Sequence, residues 1–365
     1  MKFSASREAI LKPLQAVIGV VERRQTMPIL SNVLLSVADN TLSVTATDLE
    51  VELVARADVD QQASGEITVP GRKLHDIVRA LGDGTTVTFA LSGERMTVKA
   101  GRSRFTLSTL RAADFPSIED IAAQQTIKVG QQELHELFKH TQFSMAQQDV
   151  RYYLNGLLLE TEGTCLRAVA TDGHRLALSE MSLGEKVSKE EQVIVPRKGV
   201  LELSRLLANE GDVRLMIGAN HIRAELDGTR MTSKLIDGRF PEYGRVIPQE
   251  PGSTVKADRE LLRQALSRTA ILSNEKYRGV RLEVSDNSIV MNANNPEQEE
   301  AVETLEVEYK GDTLEIGFNV NYLLDALTAV AGEQVEIGLT DGNSSCLITA
   351  PGENATKYVV MPMRL

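Results

Sequence analysis

The chain is short of cysteine: 365 residues hold two, Cys165 and Cys346, 181 positions apart and without a CxxC pair. That spacing offers neither a disulfide framework nor a structural zinc site, and it fits a reduced, cytosolic protein. Proline is sparse at 11, and charge interrupts the apolar runs every few residues. No segment therefore reaches the roughly 20 apolar residues of a transmembrane helix. The opening stretch, MKFSASREAILKPLQAV, sets Arg7 and Glu8 inside its apolar part, which is wrong for a secretory signal. Nucleotide and metal motifs are missing as well: there is no GxxxxGK[ST], GxGxxG or HExxH, and His75, His135, His140, His174 and His221 lack ligand spacing. No cofactor and no metal are expected. Positive charge is also scarce, with 40 Lys and Arg against 51 Asp and Glu, a net −11. Such a balance argues against nucleic-acid binding unless the basic residues gather on one face. What is present, 42% hydrophobic and 25% charged residues, is ordinary globular material, long enough for two or three domains.

Those domains are visible as an internal repeat. NVLLSVADNTLSVTATD from Asn32, NGLLLETEGTCLRAVATD from Asn155 and RGVRLEVSDNSIVMNANN from Arg278 start 123 residues apart, twice. Each reads as two strands around a turn, at Asp39-Asn40, Glu162-Gly163 and Asp286-Asn287. VPGRKLHDIVRAL, VPRKGVLELSRLL and FNVNYLLDALTAV each run from a strand end into a helix; in the first, Leu74, Ile77, Val78 and Leu81 share one helical face. SREAILKPLQAV, QQELHELFKHTQ and DRELLRQALSRT form a second helix family, and SRFTLSTL, TRMTSKLI and TKYVVMPM a recurrent closing strand. Phe115-Pro116 and Phe240-Pro241 bound the linkers, which predicts domains over 1–124, 125–250 and 251–365. The expected class is α+β, each domain being two β-α-β-β-β halves with two helices on antiparallel sheet.

Charge then separates by element. The six expected helices (6–24, 70–81, 132–142, 196–207, 258–270 and 320–330) sum to +5, leaving −16 on the rest. If all pack on one side, that side attracts phosphates without reading bases; otherwise the surplus reflects only Lys and Arg as good helix formers. Two copies would bring twelve helices. Spaced by about 9–10 Å they would close on a circumference of about 110 Å, leaving an opening of roughly 25 Å after one helix width of about 10 Å. A B-form duplex passes such an opening, and a dimer would also pair free sheet edges. The geometry permits a ring without requiring one.

His174 beside Asp172 invites an active-site reading, but Asp172-Gly173 is a hairpin signal and no nucleophile is placed by the sequence. Glu190-Glu191 and Glu299-Glu300 read as solvated or interface charge rather than two-metal ligands. A catalytic polymerase or nuclease subunit, and a scaffold that never meets nucleic acid, are the competing classes.

ATDGHRLA at 170–177, SKLIDGRFPEY at 233–243, NNPEQEE at 294–300 and the ending VVMPMRL, together with the repeats, resemble the bacterial sliding clamps, the beta subunits of DNA polymerase III. The similarity spans essentially the whole chain. It implies a non-catalytic, cytoplasmic processivity factor of chromosomal replication. The implied assembly is a head-to-tail homodimeric ring, helices inside and sheets outside, that encircles duplex DNA and slides without base-specific contacts. Replicative and repair DNA polymerases are the implied partners, with an ATP-driven loader that opens the ring. Weak phosphate contacts suit sliding, since topological linkage supplies residence.

The resemblance carries DNA contacts onto Arg24, Arg72, Gln148, Tyr152, Tyr153 and Arg197. On an extended segment Tyr152 and Tyr153 would face opposite ways, leaving one of them for packing. A groove for short peptides ending in apolar residues maps to Leu154, Thr171, Gly173, His174, Arg175, Leu176, Pro241 and Val246 on one wall. Its other wall maps to Asn319, Tyr322, Ser345, Val359, Val360, Met361, Pro362, Met363 and Arg364, with strand alternation sending one of the two methionines to the core. Asn343 departs from the family's apolar pattern and is left out. The subunit contact maps to Lys73 and Ile77 against Ile271 and Leu272, beside Glu297, Glu299, Glu300 and Glu303, with Val302 interrupting the acidic run.

Overall fold

The computed structural model describes residues 1–21, 27–118 and 121–364. Its elements repeat a β-α-β-β-β half six times. The first two halves are β1 (Lys2–Ser6), α1 (Arg7–Val17), β2 (Asn32–Ala38), β3 (Thr41–Thr47) and β4 (Val51–Asp58), then, after a short extra strand β5 (Asp60–Ala63), β6 (Gly65–Pro70), α2 (Gly71–Ala80), β7 (Thr86–Ser92), β8 (Arg95–Ala100) and β9 (Ser103–Ser108). The next two are β10 (Gln125–Gly130), α3 (Gln131–Lys139), β11 (Gly156–Glu162), β12 (Cys165–Thr171) and β13 (Arg175–Ser182), then β14 (Glu191–Pro196), α4 (Arg197–Leu206), β15 (Asp212–Ile217), β16 (His221–Leu226) and β17 (Thr229–Lys234). The last two are β18 (Ser253–Asp258), α5 (Arg259–Thr269), β19 (Gly279–Ser285), β20 (Ser288–Asn294) and β21 (Glu300–Glu306), then β22 (Leu314–Asn319), α6 (Val320–Ala329), β23 (Gln334–Leu339), β24 (Cys346–Thr349) and β25 (Thr356–Val360). The halving expected from the rhythm of the sequence is present; β5 is the one strand it missed.

Local chemistry explains the elements. Ser6 Oγ accepts from Ala9 N–H at the start of α1, and Asp258 Oδ1 from Leu261 N–H at the start of α5, satisfying amides that a helix leaves open. Ile10, Leu11, Leu14 and Val17 form the buried stripe of α1. The expected first helix over 6–24 is too long: α1 stops at Val17, and the chain turns through Val20 N–H to Val17 O and Val21 N–H to Ile18 O. Gly19 sits in that turn with the Glu202 carboxylate beside it, where a Cβ would have to displace that side chain. Arg24 lies in 22–26, outside the described residues. The observed helix ranges again sum to +5, with α1 contributing +1 and α5, where Asp258 is the cap and not part of the helix, +2. The turn at Asp39-Asn40 has both residues at positive φ, 50° and 58°, as a two-residue hairpin of that hand requires.

All strand pairs are antiparallel, and within each domain the leading strand of one half edges the hairpins of the other. The order is β5-β1-β7-β8-β9 in one sheet and β21-β20-β19-β22 in another. The remaining two sheets have eight strands because a closing strand of one repeat pairs with that of the next: β10-β15-β16-β17-β4-β3-β2-β6 and β14-β11-β12-β13-β25-β24-β23-β18. The chain accordingly forms two compact units, one of residues 1–134 and 198–235, the other of residues 135–197 and 236–365. In the first, α1 packs on β3, β4 and α2; in the second, α5 packs on α6, β20 and β21. Cys346 is buried and Cys165 half-buried, both free thiols. Among the described residues no helix is long and apolar enough to cross a membrane.

Candidate partner-binding groove

Every groove residue named from the sequence lies in the second unit, around the seam where β13 pairs with β25. The register sets Arg175 opposite Val360 and Leu176 opposite Val359. Alternation points Leu176 and Val359 to one face, where they join Leu158, Val169, Leu178, Ile194 and Phe240 in a buried apolar cluster. Val246, Tyr153, Tyr243, Ile247 and Leu347 pack on that cluster and are themselves only partly buried, so part of their own apolar surface is accessible. Leu154 is buried, Pro241 is exposed, and Ser345 Oγ donates to Val246 O at 3.4 Å across the groove's end.

The turn before β13 is fixed by its own polar groups. Asp172 Oδ1 accepts from His174 N–H at 2.9 Å and Arg175 N–H at 3.0 Å, while Thr171 Oγ1 accepts from Gly173 N–H at 3.1 Å. Gly173 takes φ 88°, where a side chain is strained and would also meet the Arg151 guanidinium. Arg175, placed in the groove by sequence, is committed to the frame beneath it. Its guanidinium pairs with Asp172 at 3.1 Å and Asp325 at 2.5 Å, donates to Phe143 O at 2.7 Å, and lies 4.6 Å from the Tyr322 ring centre. His174, exposed, stacks on the other end of Tyr322 with centroids 6.5 Å apart. Burial raises the pKa of Tyr322, with Asp172 adding to the effect, so its ring stays a neutral apolar wall with a donor at its tip.

The tail supplies the second wall. β25 ends at Val360, and beyond it Met361 N–H donates to His174 O and Met363 N–H to Gly317 O. Strand alternation therefore does not hold at the methionines: Met361, Pro362 and Met363 are all half-exposed, and the buried residues are Val359 and Val360. Two unbranched thioethers lining an open wall suit ligands of varied shape. Asn319 and Arg364 form the polar rim. The sequence reading missed Phe143, Tyr243 and Asp325. Tyr243 donates to Glu160, itself paired with Arg167, and burial with that hydrogen bond lifts its hydroxyl to about 12.

Of the expected DNA contacts, the second unit holds Gln148, Tyr152, Tyr153 and Arg197. Tyr152 and Tyr153 stand in a 3-10 turn, not an extended segment. Tyr152 is 57% exposed, whereas Tyr153 packs on the apolar cluster. Gln148, at φ 57°, is exposed, and Arg197 at the start of α4 donates to Met145 O at 3.3 Å. In the first unit Arg72 donates to Val21 O, and its Nε is buried without a partner among the described residues. Among the expected subunit contacts, Lys73 is exposed and Ile77 half-buried on α2, Ile271 is 74% exposed, and Leu272 is half-buried. Glu297, Glu299 and Glu300 are exposed; Glu303 is held by Arg268 within the chain at 2.6 and 3.0 Å, which lowers its pKa.

Comparison with known proteins matches three consecutive family models. They are the DNA polymerase III beta subunit N-terminal domain over residues 1–119, the central domain over 128–242 and the C-terminal domain over 244–364. The beta sliding clamp of Pseudomonas putida KT2440 is 55% identical over 367 residues, covering 100% of both chains. The crystal structure of the DNA polymerase III subunit beta from Pseudomonas aeruginosa superimposes with a TM-score of 0.97 at 54% identity, and the Caulobacter crescentus pol III beta with 0.95 at 42%, each covering 100% of both chains.

Proposed function

The chain belongs to the DNA polymerase III beta-subunit family, whose members are non-catalytic clamps of three-domain α+β fold, and from that premise we propose that two copies close head to tail into a ring around duplex DNA. Its domains run over 1–124, 125–250 and 251–365. The ring slides on weak phosphate contacts and tethers DNA polymerases whose short peptides, ending in apolar residues, enter the groove at Leu176, Val246, Val359 and Met361. An ATP-driven loader opens it, and its place of work is the cytoplasm. Arg24, Arg72, Gln148, Tyr152, Tyr153 and Arg197 are the proposed DNA contacts. The proposed groove set is the full list above from Leu154 to Arg364.

The observation that carries the ring is an unfinished pairing rule. The closing strand of a first half joins that of a second half in the neighbouring repeat, β4 with β17 and β13 with β25. β21, closing the first half of the third repeat, and β9, closing the second half of the first, are left over. Their charges are complementary: β21 carries Glu300, Glu303 and Glu306, and β9 carries Arg104. An open edge of this kind is a template for pairing with another chain. The helices support the same joint. On α4, Arg205 pairs with Glu202 and donates to Gln15 O and Ala16 O at the end of α1. α2 repeats the arrangement as Asp76 and Arg79 at matching positions, with Arg79 exposed. In the ring Arg79 caps the end of α5 of a second copy, beside Ile271 and Leu272.

Sedimentation across a dilution series should give a dimer at micromolar concentration, and a monomer there overturns the ring. Protein loaded onto a nicked circle should resist about 0.5 M salt, which strips purely ionic binding, and should come off when the circle is cut.

A further inference from the structure

The helix joints of the two units carry a polar link in opposite directions. In the first, Arg205, ninth of the ten residues of α4, donates to Gln15 O and Ala16 O at the end of α1. The ninth residue of α6, also ten residues long, is Thr328, whose hydroxyl turns back to Leu324 O in its own helix. In the second unit the link comes from the other partner. His140, directly after α3, sets Nδ1 3.1 Å from Ala329 O at the end of α6 and 3.1 Å from the Tyr358 hydroxyl on β25. A carbonyl has no proton to give, so Nδ1 carries one, and in the neutral ring Nε2 is bare. Nε2 lies 3.8 Å from Glu136 Oε2, beyond hydrogen-bond length.

Two short routes lead from this ring to the groove. Tyr358 is buried and immediately precedes Val359 and Val360 of the second wall. Its ring also lies 5.8 Å from that of Phe143, whose carbonyl accepts from the Arg175 guanidinium at 2.7 Å and whose ring centre is 5.4 Å from it. That guanidinium in turn supports Tyr322. A second proton on His140 goes to Nε2 and makes a charge-assisted hydrogen bond to Glu136 once the ring moves on the order of 1 Å, away from Ala329 O and Tyr358. Glu136 and Glu353, the latter between β24 and β25, favour that proton; Lys139, paired with Glu136 at 3.0 Å, opposes it. Tyr358 adds no charge, since burial keeps its hydroxyl protonated, and α6 presents the Ala329 carbonyl. Burial of the ring outweighs the carboxylates and lowers the His140 pKa from its ordinary 6.5.

We infer that His140 is a positioning residue for the groove: the neutral ring holds β25 and the end of α6 in the arrangement that receives a peptide, and the protonated ring turns to Glu136 and loosens that wall. The inference rests on the groove reading. The folded value is the lower one, so the neutral ring prevails above pH 6.5 and is lost as pH falls through a midpoint below it. Fluorescence anisotropy on the full-length protein tests this with a labelled pentapeptide that ends in two apolar residues and has no titratable side chain, from about pH 8 to about pH 4.5. Affinity should weaken about fivefold toward acid. His140→Gln keeps an amide donor for Ala329 O but cannot titrate; it should bind as the parent does at pH 8 and hold that affinity in acid. His140→Ala should bind about fivefold more weakly throughout, and Glu136→Gln should shrink the pH effect. Without peptide, the Val359 and Val360 methyl NMR signals should shift with the same midpoint in the parent and stay fixed in His140→Gln. Failure of the peptide to bind the parent overturns the groove and this inference with it. Parent affinity that is flat with pH, or His140→Gln as weak as His140→Ala at pH 8, overturns the positioning role alone. So does acid weakening that survives in His140→Gln, which then belongs to the exposed His174 of the groove.

Discussion

The seam of β4 with β17 and the seam of β13 with β25 are built to the same plan and differ in what closes them. Val51 opposes Ser233 and Glu52 opposes Thr232 in one; Arg175 opposes Val360 and Leu176 opposes Val359 in the other. The turns match as well. Asp48 accepts from Glu50 and Val51 amides as Asp172 does from His174 and Arg175, Thr47 caps Leu49 N–H as Thr171 caps Gly173, and Leu49 takes φ 78° where Gly173 takes 88°. At the next residue the seams part. Buried Glu52 accepts from Ile118 N–H at 3.0 Å and so ties the linker down, with Arg230 near it and Thr232 taking a hydrogen bond from Arg223. Leu176 and Val359 close theirs with apolar contact alone, both buried in a cluster on which the half-exposed Val246 and Tyr243 pack. One repeated backbone thus yields a polar or an apolar junction according to two facing side chains.

The sharpest way to break the contrast is to move the polar group across. Leu176→Glu places a carboxylate in the apolar cluster without the amide that receives Glu52; peptide affinity should fall at least about 100-fold in anisotropy, and unfolding free energy by about 2–3 kcal/mol in urea. The reverse change, Glu52→Leu, leaves Ile118 N–H unpaired and should cost about 1–3 kcal/mol in the same measurement with peptide binding at the groove unchanged. Asp325→Asn weakens the frame under Arg175 and Tyr322; a roughly fivefold loss of peptide affinity is expected, with little change in stability because Asp325 is half-exposed.

The smallest expected effect concerns pH. Asp149, beside the groove's Leu154 turn, is held at about 2 by hydrogen bonds from the Arg151 side chain and amide, below its ordinary 3.8. Because the folded value is the lower, its contribution is present above pH 4 and is lost as pH falls toward 2. Asp149→Asn should flatten that part of the acid-unfolding curve and leave neutral pH unchanged.

Much of this was legible in one dimension. Spacing gave the repeat and the halves, and Leu74 and Val78 are buried on α2 as their period requires. Boundaries were less legible: α1 ends at Val17, where the chain turns through Val20 N–H to Val17 O and Val21 N–H to Ile18 O. The groove residues were carried by resemblance, but their roles were not. Arg175, read as part of the first wall, is largely covered and paired with Asp172 and Asp325; Met361 and Met363, read as alternating, are both half-exposed. Asp325 and Phe143 gave no signal, since helical or turn residues of those types are common and only their convergence on Arg175 distinguishes them.

By itself the sequence determined the periodic elements, because period-2 and period-3.6 apolar spacing and capping groups act within a few residues. Which strands join, which guanidinium is consumed and which apolar surface stays uncovered were decided only by the tertiary structure. Register and burial depend on residues far apart in the chain that meet only once the sheets have formed.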